Sequence, residues 1–551
     1  MDSIAETNME TPRNGAAWLY KRPRESDALV TLVMMFLVWA AVAVFLSYHH
    51  AFWRDEVRAL SHSLQGENTI EMLKSIHGES HPAIWYLALR GMHWIVGTPE
   101  ALNYTALLVA ATAIGVFLVR SPFRLLVIAL FLFGGISAFE FSAMARNYGI
   151  SMLFLFLFAA TYSKKREAGY WSGATLFLLA NTNVHSAILA AVLVGFWFLD
   201  SALEKKSIRL ALSKNFLINA GIAIAGIVVC FLTVYPTYND AAIAPPPLES
   251  HARVLFRAVF NPSAYFSQLL PFRDITDYVN ESRAKPLIPA FAVSVLTTLT
   301  IYGSTLGLIR RPAAFLAALA ALIGFSIFFA FIYEGGFRHQ ALWVIFLIVM
   351  YWISSNGTQS PLAVKSSVQN RLLPVARIGS FFFCVLLLLQ LPKTAVEIAR
   401  GMGYGVPLSQ SEEVAKLINS DPMLRKATIM SDPDFMIEPF PYYLPDNPTY
   451  VLREDRFGKV TRFTKYARLR IGLDEILNEA RKVRATTGQP VIILLSQKLD
   501  GITSDVTIPE SYNWELTVTP SQVKHFTDST RLIAKAIPTK DVESYNVYVI
   551  D

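Results

Sequence analysis

Uncharged apolar runs recur along this chain at one characteristic length. Residues 28–47, 216–239, 286–309 and 313–333 are each about 20 residues long, the length that crosses about 30 Å of hydrocarbon as a helix. Shorter apolar stretches lie between them, and the basic residues that separate the stretches give a topology. Lys and Arg cluster at 21–24, 120–124, 164–166, 205–209, 310–311 and 365–377, and basic residues near span ends mark the cytoplasmic side. Joining those clusters predicts about eleven spans, at 28–48, 101–119, 123–140, 148–163, 169–182, 186–200, 215–235, 287–309, 313–333, 339–355 and 376–392. The amino terminus is then inside and the carboxyl end outside.

One apolar stretch, HPAIWYLALRGMHWIVG at 81–97, carries Arg90 and His93 three apart. At helical spacing Arg90, His93 and Gly97 share a face opposite apolar positions, which predicts an amphipathic helix in the membrane interface. A twelfth span there would put the later basic clusters outside.

Composition agrees with a bilayer as solvent: 53% hydrophobic and 17% charged residues over 551 positions, with mean hydropathy +0.39, leave too much apolar surface for water. The polar first 27 residues carry Lys21, Arg22 and Arg24, and the run that follows is longer than a signal-peptide core with no small-residue cleavage site, so it reads as an uncleaved anchor. Cys230 and Cys384 both lie in apolar runs, which excludes a disulfide framework or a cysteine metal site. The net charge of +7 is largely the orientation signal, and nothing in its pattern points to nucleic acid.

The chain divides into a cytoplasmic segment 1–27, a membrane domain 28–396 with outer loops at 49–100 and 236–286, and a soluble domain 397–551. In the last part, bursts at 427–430, 449–452, 491–495 and 545–550 read as short strands, and 473–484 as a helix with Asp474 and Glu475 in its first turn. The fold class is therefore an α-helical polytopic membrane protein with a small carboxyl-terminal α/β domain. That domain has no phosphate-cradling glycine loop, metal-ligand cluster or nucleophile motif, and reads as a structural or partner-binding cap. The 236–285 loop, with Pro245, Pro246 and Pro247, reads as a segment able to close over a substrate.

Ionisable groups near hydrocarbon are costly and mark pathways or sites, and here they gather on the outer face. In FWRDEVRALSHSL, Asp55, Arg58 and His62 fall on one helical stripe with Glu56 beside it. His81, Glu140 with Arg146 and Tyr148, Asn183 with His185, and Glu334 with Arg338 and His339 join them once the topology is drawn. Individually these are satisfied helix-end or interfacial groups. Together they predict an outer-leaflet cavity, acidic on one wall and cationic on another, suited to phosphate chemistry at a lipid surface.

At these residues the sequence resembles the polytopic GT-C glycosyltransferases, especially the branch (glycosyltransferase family 39-like) of bacterial lipid A aminoarabinose transferases and protein O-mannosyltransferases. Asp55-Glu56 matches the acidic motif opening the first outer loop, His81-Pro82 the start of an interfacial helix, Ala145-Arg146-Asn147-Tyr148 an outward-facing helix start, 181–185 a polar turn, and Arg338-His339 the start of a late span. Met144 stands two before Arg146, where related sequences often carry an acid. The resemblance implies inverting transfer of a sugar from a polyprenyl-phosphate donor to a lipid, polysaccharide or protein acceptor at a bacterial inner membrane, on the periplasmic side. It implies Asp55 as general base and Glu56 as a shaper of the acceptor site, with Arg58, His81, Arg146, Tyr148, His185, Arg338 and His339 binding substrate and phosphate. Some members use a divalent cation, which Asp55 and Glu56 could hold through oxygen ligands. A transporter or flippase of a lipid-linked or anionic substrate is the competing reading, and an assembly scaffold a third. Inverted repeats and paired broken helices, which a carrier would show, are not visible.

Overall fold

The computed structural model describes residues 19–20, 25–79, 81–165, 167–235, 250–272, 288–355, 366–464, 466–540 and 543–551. The basic cluster at 21–24, Arg166, Lys365 and all but 250–272 of the expected closing loop lie outside the described residues. Within that loop, His251–Phe260 forms a helix that exposes Phe256 and Phe260.

Among the described residues, eight helical segments are long and apolar enough to cross a membrane: Leu29–His49, Ala101–Arg120, Val184–Lys205, Lys214–Val234, Ala290–Leu308, Pro312–Phe331, Phe337–Ser355 and Arg371–Gly401, the last taking in the separate helix Leu391–Gly401. The chain is thus a multi-pass membrane protein. Phe337–Ser355 is the most central, with 83% of its apolar window buried inside the protein. The expected spans 123–140, 148–163 and 169–182 are shorter apolar helices, so eight spans by length stand among the described residues where eleven were expected. The first is split: the helix Leu125–Leu132 ends at Gly134 and Gly135, and a π-turn follows over Ile136–Glu140. The Gly135 N–H donates to the Gln390 carbonyl at 2.9 Å. A Cβ at Gly135 would lie 2.7 Å from Lys393 Cβ, so glycine is what lets the 391–401 helix approach this break. The third, Trp171–Ala180, has 10 residues, about 15 Å of helix. It ends in the polar turn 181–183, where the Thr182 carbonyl accepts from Asn147 Nδ2 at 2.7 Å and the Asn183 side chain caps the next helix through Ser186 N–H.

The outer loop after the first span folds into three short helices: α1 (Arg54–Ser63), α2 (Thr69–Ser75) and α3 (Ala83–Val96). With 14 residues, about 21 Å, α3 is too short to span. It buries Trp85, Tyr86 and Leu89 on one side and leaves Trp94 87% and Ile95 72% exposed, as an interfacial helix should.

The carboxyl-terminal part is α/β. β1 (Thr428–Asp432), β2 (Thr449–Val451), β3 (Arg456–Phe457), β5 (Val491–Leu495), β8 (Arg531–Ala534) and β9 (Asn546–Ile550) form a six-stranded sheet in the order β3-β2-β1-β5-β9-β8. β1 runs parallel to β2 and β5, and β9 antiparallel to β5 and β8. β4 (Arg470–Gly472), β6 (Val506–Pro509) and β7 (Glu515–Val518) make a second sheet. Alternate residues of the central strands feed two cores: Ile429, Ile492, Leu494, Val547 and Val549 one, Met430, Ile493, Leu495 and Tyr548 the other. Covering both faces explains why these strands read as continuous apolar bursts.

This domain is clamped to the outer loop. Tyr443 Oη accepts from the Phe52 N–H at 2.6 Å, Ser411 Oγ donates to the Phe52 carbonyl at 2.9 Å, and Glu543 accepts from the Arg54 N–H at 2.8 Å. Inside it, Arg453 is fully buried and bonded to Asp432 at 2.7 Å and Glu510 at 2.9 Å. Removing the cation leaves two uncompensated buried acids, so Arg453→Ala should cost about 3–5 kcal/mol. Chemical denaturation of the purified protein checks this; a loss below about 1 kcal/mol would contradict it.

Candidate active site

The short helix α1 distributes three charged side chains to three different places. Asp55, at its first turn, keeps 27% of its side chain exposed and faces a ring of guanidinium groups. Arg146 Nη1 lies 3.2 Å and Arg338 Nη2 3.5 Å from Asp55 Oδ2, while Arg54 Nε lies 3.8 Å from Oδ1. Arg146 also donates to the Asp55 carbonyl at 2.6 Å. Trp53 floors the pair, with the Arg338 guanidinium 4.6 Å and that of Arg146 6.0 Å from its ring. Burial alone would raise the Asp55 pKa, but Arg146, then Arg54 and Arg338, hold it well below the carboxylate range.

His81 joins this group through Arg146, whose Nη2 is 3.0 Å from His81 Nε2. Burial and the neighbouring guanidinium push the His81 pKa down to about 3, so the imidazole is neutral. Because Nε2 accepts from Arg146, the proton belongs on Nδ1. His81 therefore offers a phosphate a hydrogen bond and not the positive charge expected of it.

Behind the arginines stands an aromatic, polar wall. The His339 ring is 5.4 Å from Tyr148, 4.7 Å from His185 and 5.2 Å from Tyr333. His81 Nδ1, Tyr148 Oη, His185 Nε2 and His339 Nδ1 are buried without a hydrogen-bonding partner among the described residues. Four such atoms stand beside one charged centre, and an unmet buried polar group costs about 1–3 kcal/mol. They are available to a polar ligand.

Glu56 is elsewhere. Its carboxylate is fully buried and accepts from the Ala145 N–H at 2.6 Å and the Trp53 N–H at 3.3 Å, with His50 Nε2 at 3.2 Å. Implied by the resemblance as a shaper of the acceptor site, it is instead engaged inside the protein, where it ties α1 to the turn that presents Arg146. Arg58 is engaged too. It forms a fork with Glu79 at 2.8–3.3 Å, pairs with Glu438 of the carboxyl-terminal domain and donates to the Thr461 carbonyl at 2.8 Å. His62 Nε2 lies 3.2 Å from Glu79. The expected stripe of Asp55, Arg58 and His62 thus splits, and Arg58 is a bolt between domains, not a phosphate ligand. Glu140 pairs with Lys393 at 2.7 Å, and Glu334 is exposed.

A divalent cation does not fit the site. Among the described residues no three His, Cys, Asp or Glu side chains assemble, Glu56 is consumed by internal donors, and Asp55 faces guanidinium groups that would repel a metal ion. Trp53, Glu79, Glu438 and Lys393 were not singled out by sequence reasoning. Only Trp53 had a local signal, lying two residues before Asp55.

Deleting the Glu56 acceptor strands the Ala145 amide, so Glu56→Ala should destabilise the protein by about 1–3 kcal/mol, and Glu56→Gln, which keeps an acceptor, by less. Unfolding midpoints of the two variants test this, and equal stability with the parent would contradict the tether.

No protein-family model and no curated protein matches the chain. Among solved structures, it is similar to the crystal structure of ArnT from Cupriavidus metallidurans in the apo state, at 13% identity and a TM-score of 0.38, over 95% of this chain and 98% of that one.

Proposed function

We propose that this protein is a membrane glycosyltransferase of the GT-C type that moves a sugar from a polyprenyl-phosphate-linked donor to a lipid, glycan or protein acceptor. The observation that carries the reading is Asp55 held between Arg146 and Arg338, 3.2 and 3.5 Å away, beside buried polar atoms without partners. The order of short motifs in the sequence supports it independently. The charge pattern supports an amino terminus in the cytoplasm and this site, with the 397–551 domain, on the opposite side, and the resemblance supports an inner-membrane placement that makes that side periplasmic.

In the chemistry proposed, Asp55 accepts the proton of the acceptor hydroxyl or amine as that atom bonds to the anomeric carbon. The bond from the anomeric carbon to the phosphate oxygen breaks on the opposite face, with inversion, and its electrons leave with the phosphate. Arg146 and Arg338 neutralise that charge, and the His81 Nδ1–H donates a hydrogen bond to it. The arrangement also regulates the base. A carboxylate whose pKa is far below neutrality is a poor proton acceptor. A donor phosphate competes for the same two guanidinium groups, loosens their hold and raises the Asp55 pKa. The base becomes effective when the donor is in place.

The break at 133–147 is a feature a carrier would share, so transport is the reading to test alongside. Purified protein in lipid should transfer radiolabelled sugar from a polyprenyl-phosphate donor pool, and Asp55→Asn should lower the rate about 10²–10⁴-fold while folding is retained. Donor movement across the bilayer with no bond cleavage, unaffected by the substitution, would refute the transferase and favour the flippase. The pH profile gives a second check. With the His81 pKa at about 3, kcat/KM should show no inflection from this imidazole near pH 6.5. Because Arg338 lowers the Asp55 pKa, Arg338→Gln should move the acid limb to higher pH; an unmoved limb would separate Asp55 from the reaction.

A further inference from the structure

A cavity of about 840 Å³ lies between the outer-loop helices and the carboxyl-terminal domain, lined by α1, α2, α3 and the 441–462 segment. On α1 and the two residues after it, its wall is Val57, Leu60, Ser61, His62, Leu64 and Gln65. At about 100° per residue this stripe is centred on the side of the helix away from Asp55, so the cavity backs onto the candidate active site without being part of it. Lys74, Arg456, Lys459 and Arg462 contribute its charge, the imidazoles of His62 and His93 also line it, and no carboxylate is among the lining residues. Arg456 is paired with Glu454 at 2.8 Å, and Glu71 and Glu79, the acids nearest on α2 and after it, are turned to Asn68 and to Arg58. His62 is 3% exposed, and its Nδ1 has no hydrogen-bonding partner among the described residues. The cavity is cationic, with an unsatisfied buried nitrogen on its wall.

The helices that border it also expose apolar side chains. On α3, Trp94 is 87% and Ile95 72% exposed, immediately after the lining residue His93. On α2, Ile70 is 66% exposed, one turn before the lining residue Lys74, and Leu73 is 38% exposed. The two helices that border the cavity therefore also carry exposed apolar side chains, the pattern of interfacial helices seated at headgroup level. A phosphate-bearing headgroup entering the cavity would meet Lys74 and Lys459. The volume, within the range of about 300–1,000 Å³ that small-molecule sites occupy, admits a phosphodiester with its attached polar group.

We propose that this cavity is a binding site for the phosphate-bearing headgroup of an acidic membrane lipid, separate from the Asp55 site and not a site of reaction. It rests on the position of α3 in the interface and not on the glycosyltransferase reading. A bound lipid would join α2 and α3 to the 456–462 segment and so help hold the carboxyl-terminal domain against the membrane.

The test uses the full-length protein in nanodiscs or vesicles made with phosphatidylglycerol or with phosphatidylcholine alone, and scores retained lipid by native mass spectrometry. Parent protein should retain phosphatidylglycerol in preference. Lys74→Gln with Lys459→Gln, both exposed positions, should weaken that preference at least about tenfold, since each basic residue at an acidic surface is worth roughly a fivefold change. Lys524→Gln, on an exposed helix of the same domain, should leave it unchanged. Equal retention of the two lipids, or a preference that survives the double substitution, overturns the site. Saturable binding of inorganic phosphate at the same lysines without capture of phosphatidylglycerol identifies a free anion as the ligand and overturns the lipid.

Discussion

Charge cannot be left unpaired beside hydrocarbon, and that constraint organises the outer half of this molecule. α1 carries Asp55, Glu56 and Arg58 within four residues, and each is matched by a different part of the chain. Glu56 takes the Ala145 amide and His50, Arg58 takes Glu79 and Glu438, and Asp55 takes Arg146 and Arg338. The first pairing fixes the turn that presents Arg146, and the second fastens the carboxyl-terminal domain. Only the third includes a carboxylate that water still reaches. Buried pairs contribute little net stability but are costly to break, so two of the three serve as position-setting constraints and the third is the one a ligand can exchange.

The same reasoning explains why the membrane helices near the site are short. The helix ending at Leu132 stops at Gly134 and Gly135, and the one ending at Ala180 at a turn that carries Asn181 and Asn183. Backbone groups freed by such breaks must be met within the protein, and here they are: Asn147 and Asn181 donate to backbone carbonyls at 2.7–3.0 Å, and Gly135 donates to Gln390 at 2.9 Å. The polar wall of Tyr148, His185 and His339 sits among these ends.

Much of this was visible in the sequence, for physical reasons that also mark where it stopped. Long uncharged runs reveal spans because hydrocarbon imposes length, but 123–140 looked continuous, since Gly134 and Gly135 do not lower its hydropathy. β1, β2, β5 and β9 were found because both their faces are buried, whereas β3, at a sheet edge, and β6, with exposed residues, carry no such signal. Helical periodicity put Asp55 and Arg58 on one stripe and could not say that the partner of Arg58 lies 380 residues away. The match of Asp55-Glu56 to an acidic motif implied that Glu56 shapes the acceptor site; the amide of Ala145, which has no sequence signature, claims it. The residues grouped around Asp55, namely His81, Arg146 and Arg338, were identified individually by the cost of placing ionisable groups near the bilayer, and their order along the chain brought them together.

The measurement to make is a structure of the protein in lipid with a polyprenyl phosphate bound. The phosphate should sit on Arg146 and Arg338 within hydrogen-bonding reach of His81 Nδ1, with the ion pairs to Asp55 lengthened and that carboxylate open to an acceptor. A phosphate bound elsewhere, with Asp55 still paired to both arginines, would contradict the proposal that donor and base share one pair of cations.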